Sequence, residues 1–401
     1  MSPAEGFERA TIMNSGLPIA AGFSFDDVLL VPQRTRASSR RAVDVGTQLT
    51  RGIRLRVPVI SANTPWCTER AMAIAMASLG GIGIVHRMAL PEDQVGHVRA
   101  VKAAAVDPGN SADATVDPQG RLRVGAAVGV TAGYLQRAAL LADAGADLLL
   151  VDVAHGHADS VIEAVAALKQ AFPRLDILAG NVATAAAVED LVAAGADGVK
   201  VGIGPGSVCT TRTVAGAGVP QLTAILDCAH AARRRDVPLI ADGGIRTSGD
   251  IAKALAAGAS SIMLGKLLAG TDESSALPVE HDGRRYKVTT GFVTLGAGLT
   301  IQRLATGAVD AEAFRRYLPE GIEATFEGTG PAAGVVARLI AGLRSGMSYS
   351  GSMTIAELWD RAKFIAVSRA GQEEGKPHAQ DGVPKAHPDY ERLFLAAASG
   401  S

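Results

Sequence analysis

The chain has few cysteines, few aromatic residues, almost no net charge and no long apolar run, and each shortage removes a class of protein. Its three cysteines in 401 residues, Cys67, Cys209 and Cys228, are an odd set without CxxC spacing. They exclude a disulfide framework and a cysteine-ligated structural zinc, and they fit a reducing compartment. The 39 Lys and Arg nearly balance the 40 Asp and Glu, leaving a net charge of -1. That argues against nucleic acid or an anionic membrane as the main partner and for a small ligand. No window approaches the roughly 18 apolar residues of a membrane helix. The N-terminus shows no basic-then-apolar export pattern, so the cytoplasm is the expected location. Aromatics make up 4% of a chain that is 48% hydrophobic, so the large core of one domain must be built from aliphatic side chains and alanine.

What is present is a repeated phrase. Ala144-Gly145-Ala146-Asp147 leads into Leu148–Val151, Ala194-Gly195-Ala196-Asp197 into Gly198–Val201, and Ala257-Gly258-Ala259-Ser260 into Ser261–Leu264. Each reads as a helix end, a glycine C-cap and a buried strand. Further apolar runs of strand length are Val57–Ile60, Ile82–Val85, Val124–Val128, Ile177–Ala179 and Leu239–Ala241, most of them followed by alanine-rich helical stretches. Continuously apolar strands alternating with helices imply a parallel sheet covered on both faces, and eight such units imply a (β/α)8 TIM barrel. An open doubly wound sheet is the second choice. The expected layout is one domain over 1–401, with an N-terminal extension, a barrel core at about 55–270, a mobile flap at about 283–330 and a C-terminal segment over 331–401.

In such a barrel the functional residues follow the strand C-termini. The polar residues at those places are Ser61 to Asn63, His86, Asp152 to His157, Asn181, Asp242 to Gly244 and Gly265. After the sixth strand comes Gly202-Ile203-Gly204-Pro205-Gly206-Ser207-Val208-Cys209-Thr210-Thr211-Arg212. Its glycines let backbone N–H groups approach an anion, and Cys209 stands where a substrate could be attacked. A phosphate-binding turn with a bystander cysteine is the other reading. His86, His155 and His157 come from two strand ends without a carboxylate at ligand spacing, which argues against a catalytic metal.

Three stretches, Gly180 to Thr184, Gly202 to Arg212 and Ala241 to Asp250, together with Phe23 to Leu30, resemble the IMP dehydrogenase and GMP reductase family over nearly the whole chain to about Val367. The resemblance implies that Cys209 bonds covalently to C2 of a purine nucleotide while a hydride passes between C2 and a nicotinamide cofactor. It implies Thr211 and Glu273 for proton delivery. Ser61, Ser207, Asp242, Gly244, Gly265, Lys266, Gly291 and Glu320 would bind the substrate, and Asp152, His155, Asn181 and Gly202 would face the cofactor. Carbonyls of Gly204, Gly206 and Cys209 would hold a potassium ion, with Glu373 of a neighbouring subunit as a further ligand, and the expected assembly is a homotetramer.

The direction of the reaction turns on smaller features. Only Ala103 to Arg121 bridges the point where dehydrogenases of the family usually carry regulatory modules, and Arg303-Leu304 stands where they carry an Arg-Tyr pair that activates water. Arg316-Tyr317 lies too close to Pro319-Glu320-Gly321 to take that place. These features favour an NADPH-dependent reductase of GMP type, with an NAD-dependent IMP dehydrogenase as the alternative and a silent nucleotide-binding barrel as a third reading. Where the family reads Ala-Met-Asp-Thr-Val, this chain has Asn63-Thr64-Pro65-Trp66-Cys67. Thr289 replaces a phosphate-binding tyrosine, and Lys266 replaces a small residue. A GMP-like substrate, such as a 7-deazaguanine nucleotide, is the hypothesis these departures raise. An aldolase-type Schiff-base lysine would have to be Lys200, which is read instead as a contact of the Thr211 and Glu273 region or as a packing residue.

Overall fold

The Asp of each Ala-Gly-Ala-Asp phrase turns out to anchor the preceding strand. The Oδ2 of Asp147 accepts the Val124 N–H at 2.9 Å and a bond from Lys102 Nζ at 2.9 Å. The Oδ2 of Asp197 likewise accepts the Ile177 N–H at 2.8 Å and a bond from Lys169 Nζ at 2.7 Å. In the third copy, the Ser260 hydroxyl accepts the Leu239 N–H at 3.3 Å. The glycines of the phrase have φ of +95°, +108° and +114°, the conformation that ends a helix at low cost when no Cβ is present.

The computed structural model describes residues 17–107, 109, 113–289, 303, 307, 312 and 319–376 and the strand Thr11–Asn14. Its centre is a closed barrel of eight parallel strands: β1 (Val59–Ser61), β2 (Ile82–Val85), β3 (Val124–Val128), β4 (Leu148–Asp152), β5 (Asp176–Val182), β6 (Gly198–Val201), β7 (Leu239–Asp242) and β8 (Ser261–Leu264). Each strand pairs with the next in sequence, and β8 closes on β1 with Leu264 opposite Ser61. The longer helices between them are α1 (Arg70–Ser78), α2 (Pro91–Ala103), α3 (Tyr134–Asp143), α4 (Asp159–Ala171), α5 (Ala185–Ala193), α6 (Gln221–Arg234) and α7 (Ser248–Ala256). All eight sequence-expected strands are found, with ends moved by at most a few residues. Leu148, Leu149, Leu150 and Val151 are fully buried, as expected of a strand covered on both sides.

Beyond the barrel, β9 (Leu277–His281), β10 (Arg284–Thr289) and β11 (Ala324–Glu327) form an antiparallel sheet, and α8 (Ala332–Tyr349) packs on α7. The chain divides into two compact units, 1–365 and 366–401. Gly291 and Arg316-Tyr317 lie outside the described residues.

Candidate active site

Two glutamines hold the barrel mouth in shape. Gln94 Nε2 donates to the carbonyls of Val85 and Ala127, joining the ends of β2 and β3. Gln221 Nε2 donates to the carbonyls of Val201 and Asp242, both at 3.0 Å, joining the ends of β6 and β7. Gln221 was not singled out from sequence, where the only signal was its place beside Pro220 at the start of a helix.

Above these ties lies a cavity of about 590 Å³ at the C-terminal ends of the strands, within the range of small-molecule sites. Its floor is a buried charge network. Lys200 Nζ lies 2.9 Å from Asp152 Oδ1 and 2.8 Å from Asp242 Oδ2, and it also donates to Asn181 Oδ1. Burial alone would lower the lysine's pKa, but the two carboxylates outweigh it and raise the pKa above the ordinary value. Asn181 Nδ2 donates to the Gly202 carbonyl at 2.8 Å and to Asp242 Oδ2 at 2.9 Å, so every polar atom of that amide is engaged within the protein. Lys200 therefore meets the β4, β5 and β7 ends, not the Thr211 and Glu273 region.

The glycine loop over this floor carries Cys209, whose Sγ is 3.2 Å from Thr211 Oγ1. Gly202, with φ +149°, must be glycine because a Cβ would fall 2.0 Å from the Asp242 carbonyl oxygen. The segment from Glu320 clamps the loop from outside: Thr210 N–H donates to Glu320 O and Ile322 N–H to Val208 O, each at 2.8 Å. Glu320 and Gly321 thus line the cavity with Cys209 and Thr211. Glu273 is elsewhere, its Oε2 accepting the Ala332 N–H at 2.8 Å and capping α8. Cys67 and Cys228 are buried, and burial pushes both thiols up to about 12.

Of the remaining sequence candidates, Ser207, Gly204, Gly206, Asp242, Gly244, Gly265, Lys266, Asp152 and Gly202 line the cavity. Ser61, at the end of β1, is buried and is not part of the lining. His155 is exposed and outside the lining. His86 is buried, with Nε2 3.5 Å from Glu69 and Nδ1 accepting the Met88 N–H. No cluster of His, Cys, Asp or Glu among the described residues could hold a metal ion. The turn Ser24–Asp26 also walls the cavity, a role its sequence did not signal.

This arrangement, a thiol, a hydroxyl and a glycine-rich loop on one barrel mouth, has relatives. The model of the IMP dehydrogenase / GMP reductase domain matches residues 22–378. The chain belongs to the IMP dehydrogenase and GMP reductase family. GMP reductase of Leishmania donovani is 37% identical, over 89% of this chain and 96% of the relative. Inosine-5'-monophosphate dehydrogenase of Cryptosporidium parvum is 41% identical, over 90% and 96%. Among solved structures, a cysteine-to-alanine variant of GMP reductase from Trypanosoma brucei, in complex with guanosine 5'-monophosphate, superimposes with a TM-score of 0.82 at 36% identity, covering 90% of this chain and 98% of that one. The family consists of oxidoreductases that act on purine nucleotides with a nicotinamide cofactor.

Proposed function

We propose that this chain is a reductase of GMP type, which removes the 2-amino group of GMP or of a 7-deazaguanine relative in an NADPH-dependent reaction. The observation that carries the reading is Cys209 beside the Thr211 hydroxyl, with Glu320 on the same wall. The thiolate adds to C2 of the purine, and a proton passed from Glu320 through Thr211 makes the amine a leaving group that departs as ammonia. The purine then remains joined to sulfur through C2. NADPH, when bound, supplies the hydride that replaces the lost amine at C2. Return of the bonding electrons to sulfur frees the IMP-type product and restores the Cys209 thiolate. Glu320 takes the part that sequence resemblance gave to Glu273, because Glu320 lines the cavity while Glu273 caps α8.

The β4 end suits a flat ring, since Val153 and Ala154 present small apolar surface there beside Asp152. Lys200 and Asn181 fix Asp242, whose carboxylate is set to receive the ribose hydroxyls. The absence of an Arg-Tyr pair at Arg303-Leu304 supports reduction over hydrolysis, since only the dehydrogenase must activate water. The IMP dehydrogenase reading, in which carbonyls of Gly204, Gly206 and Cys209 hold potassium, draws support from relatives of that name at similar identity. Purified protein given GMP with NADPH, and separately IMP with NAD and potassium, separates the two: ammonia release in the first mixture supports the reductase, and NADH formation in the second overturns it.

A further inference from the structure

Among the described residues, the side-chain amides that line the cavity are those of Asn63, Asn181 and Gln221. Asn181 engages every polar atom of its amide within the protein, and Gln221 donates to the carbonyls of Val201 and Asp242. Asn63 differs from both. It is only 3% exposed, yet among the described residues nothing hydrogen-bonds to its amide. Other polar atoms near the mouth that lack a partner, Ser61 Oγ, Thr64 Oγ1, Trp66 Nε1 and Gln221 Oε1, have almost no accessible surface, so no ligand reaches them. The Asn63 amide is not sealed in this way, and the little surface the residue keeps belongs to the cavity.

The main chain on either side of Asn63 is fixed. The Ala62 N–H donates to Leu264 O at 3.0 Å, tying the end of β1 to β8. The Thr64 N–H donates to Ala62 O at 2.8 Å, and the Thr68 hydroxyl donates to the same oxygen at 2.7 Å. The Trp66 ring wedges the following turn against Gly265, where a Cβ would meet Cη2 at 3.0 Å. A buried amide without partners is costly, because neither its N–H groups nor its carbonyl regain the hydrogen bonds lost from water. Held on a rigid turn, this amide is a preorganised donor beside an acceptor, and it calls for a flat ligand edge that offers an acceptor beside a donor. It also stands where the family phrase carries alanine.

Beside C2, the carbon that Cys209 attacks in the reading above, a guanine offers that edge: ring N3 accepts and the 2-amino group donates. We propose that Asn63 is the residue by which this chain selects a 2-amino purine, its Nδ2 donating to N3 and its Oδ1 accepting from the 2-amino group. The inference rests on the purine nucleotide reading of the site and names the base that the site prefers. N7 takes no part, so guanine and 7-deazaguanine fit alike. Hypoxanthine keeps N3 but sets only C2–H opposite Oδ1, leaving a buried acceptor unpaired, and a site built in this way rejects the ligand that lacks the donor. The product loses the same bond once the amine has departed, which favours its release.

Calorimetric titration of the full chain and of Asn63→Ala with GMP and with IMP tests this, since the two nucleotides differ only in the 2-amino group. The wild type is expected to bind GMP at least about tenfold more tightly than IMP. Asn63→Ala is expected to weaken GMP about tenfold or more and to leave IMP within about threefold. A wild type that binds neither nucleotide or binds the two alike would overturn the proposal. So would an Asn63→Ala protein whose GMP affinity is unchanged, or whose GMP and IMP affinities fall together. Should Asn63→Ala not fold, the wild-type preference between GMP and IMP still decides. Binding is read separately from turnover: GMP held through Asn63 without NADPH oxidation counts against the proposed reaction and leaves the role of Asn63 standing, whereas NADPH oxidation by GMP in a protein that binds both nucleotides alike overturns this inference alone.

Discussion

Replacing Lys200 by Met exposes how much the site floor depends on one cation. The ammonium is 3% exposed and sits 2.9 Å and 2.8 Å from the carboxylates of Asp152 and Asp242. At an effective dielectric of about 20, each contact supplies roughly 6 kcal/mol of gross attraction, most of it offset by desolvation of the charges. Lys200→Met leaves the buried Asp152 and the partly exposed Asp242 carboxylates facing each other without a cation, and breaking a buried pair in this way costs up to about 3–5 kcal/mol. For a domain of this size, at about 2.1 cal/mol/K of unfolding entropy per residue, the melting temperature should fall by roughly 4–6 °C. The pH dependence gives the sharper signature. In the wild type the raised pKa of Lys200 means that its stabilisation is fully present below the ordinary lysine value, and it is lost only as the pH rises above that value. The wild-type contribution is therefore flat from pH 5 to 8. In Lys200→Met the facing carboxylates favour protonation, so the variant should gain stability relative to the wild type as the pH falls, and adding Asp152→Asn should restore part of the loss at pH 8. Thermal melts of the three proteins across that range measure this. A Lys200→Met protein within about 2 °C of wild type, or a deficit independent of pH, would refute the reasoning.

Three further outcomes are expected. Iodoacetamide at pH 8 should label Cys209 alone in the native protein, as read by peptide mass, because burial pushes the thiols of Cys67 and Cys228 up to about 12. Glu320→Gln should lower kcat by about 10²–10⁴-fold, whereas Glu273→Ala should keep kcat and lose about 1 kcal/mol of stability with the α8 cap; steady-state kinetics paired with melts tell them apart. Asp117 is buried, which alone would raise its pKa, but bonds from Lys102 and Arg121 pull it down to about 2. Its contribution is then present above about pH 4 and fades between pH 4 and 2, so Asp117→Asn should be less stable at pH 7 and show a flatter acid limb in denaturation followed by circular dichroism.

The barrel was legible because its signals are local: a glycine where a helix must end, and a strand too apolar to face water. The glycine loop with Cys209 and the residues at the strand ends were legible for the same reason. What escaped were facts of direction and long-range contact. In Gly198–Val201 nothing alternates, so the pattern could not say that Lys200 points into the barrel at Asp152 and Asp242. Glu273 lies closer to Cys209 in sequence than Glu320 does, yet the clamp between Thr210 and Glu320 brings the later residue to the cavity. Gln221 and the Ser24–Asp26 turn belong to the site through contacts that no nearby residue announces. The indole of Trp66 shows its place only once β8 is set beside β1.

The reaction itself is the central claim, and following nicotinamide absorbance and ammonia together in a mixture of protein, GMP and NADPH tests it most directly. The account predicts NADPH oxidation with one ammonia per NADPH, abolished in Cys209→Ser. NADH formation from IMP and NAD, with no turnover of GMP or of a 7-deazaguanine nucleotide, would contradict it.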